Sequence, residues 1–87
     1  MAIVAYVLFK VASGTEPEVA EKLVEFKEVL DASIVFGEYD VIARVELDDV
    51  EKLQGFISNK IRAVPDILVT STMIISKEYK GNKPKGK

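Results

Sequence analysis

The chain contains no cysteine, no histidine and no tryptophan among its 87 residues. Without cysteine there can be no disulfide, and without cysteine or histidine the usual ligands of zinc and of iron–sulfur clusters are missing. Serine and cysteine triads are also excluded in their common form, because no imidazole is available as the base. The sequence therefore lacks much of the usual catalytic inventory and predicts neither a metal nor a cofactor.

A long hydrophobic run is absent as well. The apolar N-terminal run, residues 3–9, ends at Lys10 and is far shorter than the roughly 20 residues of a transmembrane helix. It also lacks the basic start and the small-residue cleavage site of a signal peptide. These absences predict a cytoplasmic protein with no membrane partner.

The net charge of −2 is unevenly distributed along the chain. Residues 77–87 hold five lysines and one glutamate, which is +4, so the preceding 76 residues carry −6. An acidic body argues against a phosphate-binding face, and we expect no direct nucleic-acid partner. Because such charge blocks are usually solvated, we predict one domain over residues 1–76 and a Lys-rich flexible tail over residues 77–87, with an interaction arm as the alternative.

The apolar periodicity predicts six elements in the order βαββαβ. We expect strands over residues 2–11, 30–36, 41–47 and 67–75, and helices over about 16–28 and 50–64. Capping boxes of Thr15 with Glu18 and of Asp48 with Glu51 are expected to start the two helices. The predicted fold class is α+β, a ferredoxin-like sandwich with a four-stranded antiparallel sheet and two helices on one face.

Three of the four predicted strands are apolar on both faces. In the first strand, one predicted face holds Ala5, Val7, Phe9 and Val11, and the other holds Val4, Tyr6 and Leu8. In the second strand, one face holds Leu30, Ala32, Ile34 and Phe36, and the other holds Val29, Ser33 and Val35. In the fourth strand, one face holds Ile67, Val69, Met73 and Ile75, and the other holds Leu68 and Ile74. Two helices can cover only one sheet face, and large exposed apolar patches usually mark an interface. We therefore predict a sheet-to-sheet homodimer, with scattered surface hydrophobicity as the alternative. Its expected interface residues are Val4, Tyr6, Leu8, Ile42 and Ile74.

Two polar segments are candidate ligand sites. The turn of Gly37, Glu38, Tyr39 and Asp40 has ordinary hairpin chemistry, but the Asp40 carboxylate could also face a ligand's ammonium. The run of Thr70, Ser71 and Thr72 interrupts an apolar strand, although strands tolerate threonine well. Because the topology makes strands one and three central and strands two and four the edges, the turn and the hydroxyls could meet across a subunit boundary.

Enzymatic interpretations find little support in the residues. Acylphosphatases share the fold but need an arginine after strand one, where this chain has Ala12, Ser13 and Gly14. Small monooxygenases of this fold usually bring histidine, tryptophan or asparagine into the pocket, and this chain has no histidine and no tryptophan. An RNA-binding sheet needs stacked aromatics and basic surroundings, whereas Tyr6 is the only aromatic expected on the open face of strand one. We expect a protein that is not an enzyme.

Residues 2–76 resemble the effector-sensing (RAM, ACT-like) domain of the Lrp/AsnC transcription regulators. The segments that carry the resemblance are AYVLFKV, PEVAEKL, FGEYDVIARVE, LDDVEKLQGFI and VTSTMII. The Gly-x-Tyr-Asp turn followed by an alternating strand is the most specific of them. Because full regulators carry an N-terminal helix-turn-helix domain and this sequence starts at strand one, we expect the stand-alone form without direct DNA binding.

The resemblance implies dimers that assemble further, with an octamer expected, and an amino-acid effector held between dimers. Mapped by position, Gly37, Tyr39 and Asp40 would form the turn side of the pocket, and Thr70, Ser71 and Thr72 the strand side. Asp40 would pair with the ammonium, and hydroxyls or backbone amides would hold the carboxylate. Val35, Ile42 and Met73 are weaker candidates for contacts with the effector side chain.

Two alternatives remain open from the sequence. The first is a ligand-free structural assembly module, and the second is a small dimeric ferredoxin-like enzyme with a carboxylate base. Under the leading interpretation the module acts alone or by mixing with full-length Lrp/AsnC relatives through shared interfaces. The identity of the effector is not encoded in any motif that we recognise.

Overall fold

Four strands and two helices form an antiparallel sheet with a helical layer in a computed structural model, which describes residues 2–82. The elements are β1 (Ile3–Val11), α1 (Glu16–Val24), β2 (Val29–Ile34), β3 (Val41–Leu47), α2 (Val50–Asn59) and β4 (Ile67–Ile74). The strand order is β2-β3-β1-β4, so β2 and β4 are the edges. The predicted ferredoxin-like βαββαβ sandwich is confirmed.

One face of the sheet packs against both helices and forms the core. The two central strands alternate as predicted, and their buried residues are Ala5, Val7, Phe9, Val11, Val41, Ala43 and Val45. The helices add Val19, Leu23, Leu53 and Phe56. Phe26 follows α1 and meets Phe56 edge to face, with 5.6 Å between the ring centroids. Since both helices pack on this face, the opposite face of the sheet, called the open face below, has no helix over it.

A β-bulge in β2 changes the predicted faces of that strand. The register shifts between Val29 and Asp31, so Val29 is buried opposite Val45. Ala32 and Ile34 then pair with core-facing residues of β3. The prediction that Val29 lies on the face opposite to Ala32 and Ile34 is wrong, because one extra residue reverses the alternation.

A second bulge reverses the alternation of β4. Leu68 is an extra residue opposite the step from Lys10 to Val11. Beyond it, Ile74 pairs with the buried Ala5 and lies on the helix-facing side, whereas Met73 pairs with Tyr6 on the open face. The prediction that Ile74 belongs to the open face is therefore wrong.

Both helices are shorter than predicted. α1 ends at Val24 and not near residue 28, because the amides of Glu25 and Phe26 bond to carbonyls three residues back, a tightening common at helix ends. α2 ends at Asn59, and a 3₁₀ turn over Ile61–Ala63 follows it within the segment predicted as helix.

The predicted capping boxes are wrong in their partners. Thr15 Oγ1 donates to the Ala12 carbonyl at 2.6 Å and makes no bond to the helix amides. α2 is capped by Asp49 and not by Asp48, since Asp49 Oδ1 accepts from the Lys52 amide at 2.8 Å. Because the Thr15 hydroxyl bonds to a nearby turn carbonyl, it does not cap the amides of α1.

Beyond β4 the chain has no helix or strand up to Asn82. The predicted Lys-rich tail lies outside the described residues from position 83 onward, and its flexibility stays a prediction. Over residues 2–82 neither helix is long and apolar enough to cross a membrane.

Candidate functional site

The turn between β2 and β3 is fixed at both ends by backbone hydrogen bonds. The Val35 amide donates to the Asp40 carbonyl at 2.9 Å, and the Asp40 amide donates to the Phe9 carbonyl at 2.8 Å. Gly37 has a φ of +151°, which residues with a side chain rarely adopt, while a Cβ there would meet nothing within 4 Å. Glycine is therefore needed at this position for its backbone conformation and not for space.

Four successive amides in this turn have no acceptor within the described part of the chain. They belong to residues 36–39, and none of them donates to another described residue. Such amides bond to water or to a ligand, and groups of successive N–H donors can hold an anion. The turn thus offers donors suited to a carboxylate.

Asp40 uses one carboxylate oxygen within the fold. Its Oδ2 accepts from the Val11 amide at 3.0 Å, next to the bulge in the β1–β4 pairing. Its Oδ1 accepts no hydrogen bond from residues 2–82. Asp40 is half-buried, so it ties the turn to β1 and leaves one oxygen for a donor from outside.

Tyr39 contacts a lysine that the sequence did not single out. Lys10 Nζ lies 5.7 Å from the centroid of the Tyr39 ring, within the range of a cation–π contact. Lys10 pairs with Val69 and belongs to the open face. Three predicted site residues, Gly37, Tyr39 and Asp40, therefore lie together in one turn, with Lys10 beside them.

An open hollow of about 430 Å³ lies beside this turn. Its lining residues are Glu16, Pro17, Ile34, Val35, Phe36, Gly37 and Asp40. The two carboxylates make one part acidic, and the hydrocarbon side chains make the rest apolar, which suits an ammonium group attached to an apolar body. Sequence reasoning missed Glu16 and Phe36 at this site; the only signal for Phe36 is its place directly before the turn glycine.

The three hydroxyl residues of β4 do not share one face. Thr70 and Thr72 pair with the buried Phe9 and Val7, so they lie on the helix-facing side, whereas Ser71 pairs with Leu8 on the open face. Thr70 is level with Val41, since both pair with Phe9. The hydroxyls and the turn therefore lie toward the same end of the sheet but on opposite sides of β1, roughly 10 Å apart at strand spacing.

The open face carries an apolar patch. Four of the predicted interface residues, Val4, Tyr6, Leu8 and Ile42, are half-buried there. Val69 and Met73 add to the patch, with 46% and 54% of their surface exposed. At its rim Arg44 bonds to Asp31, with 3.2 Å between Nη2 and Oδ2. Such a patch with a charged rim is typical of a protein interface.

Metal binding has no arrangement to support it in the described residues. Over positions 2–82, no group of three or more acidic, histidine or cysteine side chains is placed to hold a metal ion. A ligand in the hollow at the turn would meet the carboxylates of Asp40 and Glu16, backbone amides and hydrocarbon.

Comparison with known proteins gives a family-level match. The family model described as "Lrp/AsnC ligand binding domain" matches residues 4–84. The HTH-type transcriptional regulator FL11 of Pyrococcus abyssi is 32% identical over 78 residues, which cover 90% of this chain and 51% of that regulator. The chain thus spans about half the length of this curated relative.

Two solved structures show the same architecture. FFRP-DM1 is 48% identical, with a TM-score of 0.80 over 84% of this chain and 97% of that one. The regulator NMB0573 of Neisseria meningitidis, solved as a complex with L-Met, is similar in fold alone: 17% identity and a TM-score of 0.81, over 91% of this chain and 53% of that one.

Proposed function

The chain belongs to the Lrp/AsnC ligand-binding domain family, and on that premise we propose that it senses an amino-acid effector at the turn of residues 36–40. The observation that carries the proposal is the presence, in one turn, of an available carboxylate oxygen on Asp40 and four backbone amides without acceptors. An amino acid has the complementary pair of groups, one ammonium and one carboxylate.

Each part of the effector has a partner at the turn. The ammonium donates to Asp40 Oδ1, which is a charge-assisted bond and stronger than a neutral one. The carboxylate accepts from the amides of residues 36–39. The hydrocarbon of Ile34, Val35 and Phe36 lines the same hollow and takes an apolar side chain. The complex of NMB0573 with L-Met supports this class of effector.

The proposal includes an assembly in which subunits pair through their open faces. Leaving the apolar patch in water forgoes about 25 cal/mol for each Å², so pairing two copies of it is favourable. The hollow at the turn is open on its outer side, and a neighbouring dimer would close it, with Thr70 and Thr72, which share the helix-facing side of β4, supplied by the second subunit. An octamer follows from the family resemblance and stays part of the proposal.

The same surfaces would allow co-assembly with longer relatives. FL11 is named as a transcriptional regulator, and this chain matches about half of its length. A shared dimer face would let the present domain join such a regulator and change its response to effector by mass action. We accordingly infer a cytoplasmic, regulatory and non-catalytic role.

One observation favours the alternative of a ligand-free assembly module. The bond from the Val11 amide to Asp40 Oδ2 gives Asp40 a structural role that needs no effector. Under this alternative the turn is simply the tip of a hairpin that is fixed to β1, and the oligomer is the same with or without amino acids.

Titration calorimetry against each of the twenty amino acids, paired with sedimentation velocity, distinguishes effector sensing from a ligand-free assembly module. We expect heat of binding with at least one amino acid and a change in the size distribution in its presence, since a ligand stabilises the state that binds it. No heat with any of the twenty and an unchanged size would contradict effector sensing and leave the assembly module.

A further inference from the structure

The Lys-rich tail carries a positive charge that the proposed function does not use. Residues 77–87 carry +4, whereas residues 1–76 carry −6. The tail begins close to the end of the sheet, where the Ile75 amide donates to the Val4 carbonyl at 2.9 Å, and no helix or strand follows up to Asn82. The positive charge is thus concentrated in one segment that is attached to an acidic fold.

Tyr79 places an aromatic ring among these lysines. The residue is 81% exposed, so the fold covers little of the ring. Lys77 Nζ lies 5.5 Å from the ring centroid, within the range of a cation–π contact, and Lys80 follows the tyrosine directly. One ammonium group can lie over only one side of a ring, so the other side of the Tyr79 ring is accessible to a partner.

The ammonium groups at the start of the tail have few partners in the fold. Among residues 2–82, the only salt bridge of the tail joins Lys80 to Glu78 at 3.7 Å, with 81% of the Lys80 side chain exposed. An exposed pair of this kind contributes little to stability. A partner with a higher density of negative charge can therefore replace Glu78.

A single-stranded nucleic acid has the groups that match an exposed ring among lysines. Its phosphates are a regular row of negative charges, and its unpaired bases stack on aromatic rings whatever their sequence. A duplex presents phosphates but keeps its bases stacked inside, which leaves Tyr79 without a partner. A lipid surface also attracts lysines, but stable anchoring needs buried hydrocarbon, and residues 77–87 contain no leucine, isoleucine, valine, methionine or phenylalanine.

We infer that the Lys-rich tail binds single-stranded nucleic acid, with the lysines on phosphates and Tyr79 stacked on a base. The contact goes beyond the proposed function and does not depend on it, because the tail follows β4 and is separate from the turn of residues 36–40. The expectation of no direct nucleic-acid partner rests on the acidic body and is revised for the tail alone. Since the body repels phosphates, the contact is confined to the tail and is sensitive to salt.

Fluorescence anisotropy of the full chain with a labelled single-stranded oligonucleotide, at a series of salt concentrations, tests the lysine contacts. We expect binding at low salt, with log K falling against log salt by about 0.7 for each phosphate contact. The double variant Lys77→Gln, Lys80→Gln should reduce that slope by about 1.4. The matched control is Lys22→Gln with Lys52→Gln, which removes two exposed lysines of the body and should keep the wild-type slope.

The stacking of Tyr79 is tested on the same oligonucleotide and on its duplex. Tyr79→Ala should weaken binding of the single strand by about fivefold to a hundredfold, because stacking of one base on an aromatic ring contributes in that range. Tyr79→Phe keeps the ring and should bind as the wild type does. The duplex should bind more weakly than the single strand and to the same extent in all three proteins. All the substituted positions are exposed, so we expect folded variants.

The inference is overturned if the wild type does not bind the single strand at low salt, if Tyr79→Ala keeps the wild-type affinity, or if the control pair reduces the slope as much as the tail pair. Tighter binding to the duplex would contradict the stacking of Tyr79. Tighter binding to vesicles of phosphatidylcholine and phosphatidylserine than to the oligonucleotide would assign the tail to a lipid surface and overturn the choice of nucleic acid.

Discussion

At the scale of single residues, Asp40 joins a structural and a proposed functional role in one carboxylate. Oδ2 holds the Val11 amide, and Oδ1 is the proposed partner of the effector ammonium. Asp40→Asn keeps an oxygen for Val11 and removes the charge, whereas Asp40→Ala removes both. The pair of variants therefore separates the two roles.

We expect Asp40→Asn to stay folded and to lose about tenfold to a hundredfold in affinity for the effector, because a bond to a charged group contributes about 1.5–3 kcal/mol. Asp40→Ala should lose affinity as well and also unfold more easily, by about 1–3 kcal/mol, since the Val11 amide loses its acceptor. Calorimetry and urea unfolding measure the two effects. Glu18→Gln, a similar change on the exposed side of α1, should alter neither, and wild-type affinity in Asp40→Asn would refute the ammonium contact.

Gly37 and Asp40 could be predicted from the sequence because turn chemistry is local. A glycine and an aspartate between two apolar runs predict a tight connection, and the structure places both in that turn. The bond from Val11 to Asp40 could not be predicted in the same way. It joins residues 29 positions apart and depends on a bulge whose position no local pattern shows.

At the scale of elements, an ion pair fixes the end of α2 to the start of β2. Lys60 Nζ lies 2.7 Å from Glu28 Oε2, with 12% of the Glu28 side chain exposed and 44% of the Lys60 side chain. Burial alone would raise the pKa of Glu28. The hydrogen bond from Lys60, a backbone hydrogen bond and the positive charges of Lys60 and Lys27 outweigh burial and hold the pKa below its ordinary value of 4.5.

This direction predicts how stability changes with pH. A carboxyl whose pKa is lowered by folding stabilises the fold above its unfolded pKa, and that contribution is lost as the pH falls through the folded pKa. Lys60→Met removes the partner and leaves Glu28 buried, so we expect a loss of roughly 1–2 kcal/mol at pH 7. We also expect the variant to lose less stability than the wild type as the pH falls from neutral to below 4.5, the ordinary pKa of the glutamate.

Urea unfolding at a series of pH values measures the effect, and Glu28→Gln serves as the control because it removes the titrating group. If Lys60→Met and the wild type have parallel pH profiles, the ion pair does not set the pKa of Glu28. Lys52→Met changes an exposed lysine that lines the same surface hollow as Glu28 and Lys60, and it should leave the profile as in the wild type.

The order of the elements was predictable, but the faces of the edge strands were not. The alternation of β1 and β3 was predictable because these two central strands pair with each other in an unbroken register from Ile3 to Phe9. In β2 and β4 one inserted residue exchanges the two faces. Ile74 was assigned to the wrong side for this reason, since Leu68 adds one residue to the count.

At the scale of the whole molecule, we expect the open face to determine whether the domain is a monomer or a dimer. Its apolar residues come mainly from β1, β3 and β4, and the two helices are both on the other side. The patch was predictable in outline from the excess of apolar residues in strand one. Its extent was not, because Val69 and Met73 reach it only through the bulge in β4.

Leu8→Lys tests the pairing of open faces at the position where β1 pairs with both Ile42 and Ser71. Leu8 is half-buried and points away from the core, so we expect a folded variant. A lysine charge buried in each of the paired faces would oppose association. Sedimentation equilibrium should give the monomer mass of 9.6 kDa at micromolar concentration, where we expect at least a dimer for the wild type. Val24→Lys introduces the same charge on the exposed side of α1 and should leave the wild-type mass. A Leu8→Lys variant with the same mass as the wild type would show that subunits do not pair through this face, and the proposed site between dimers would need another origin.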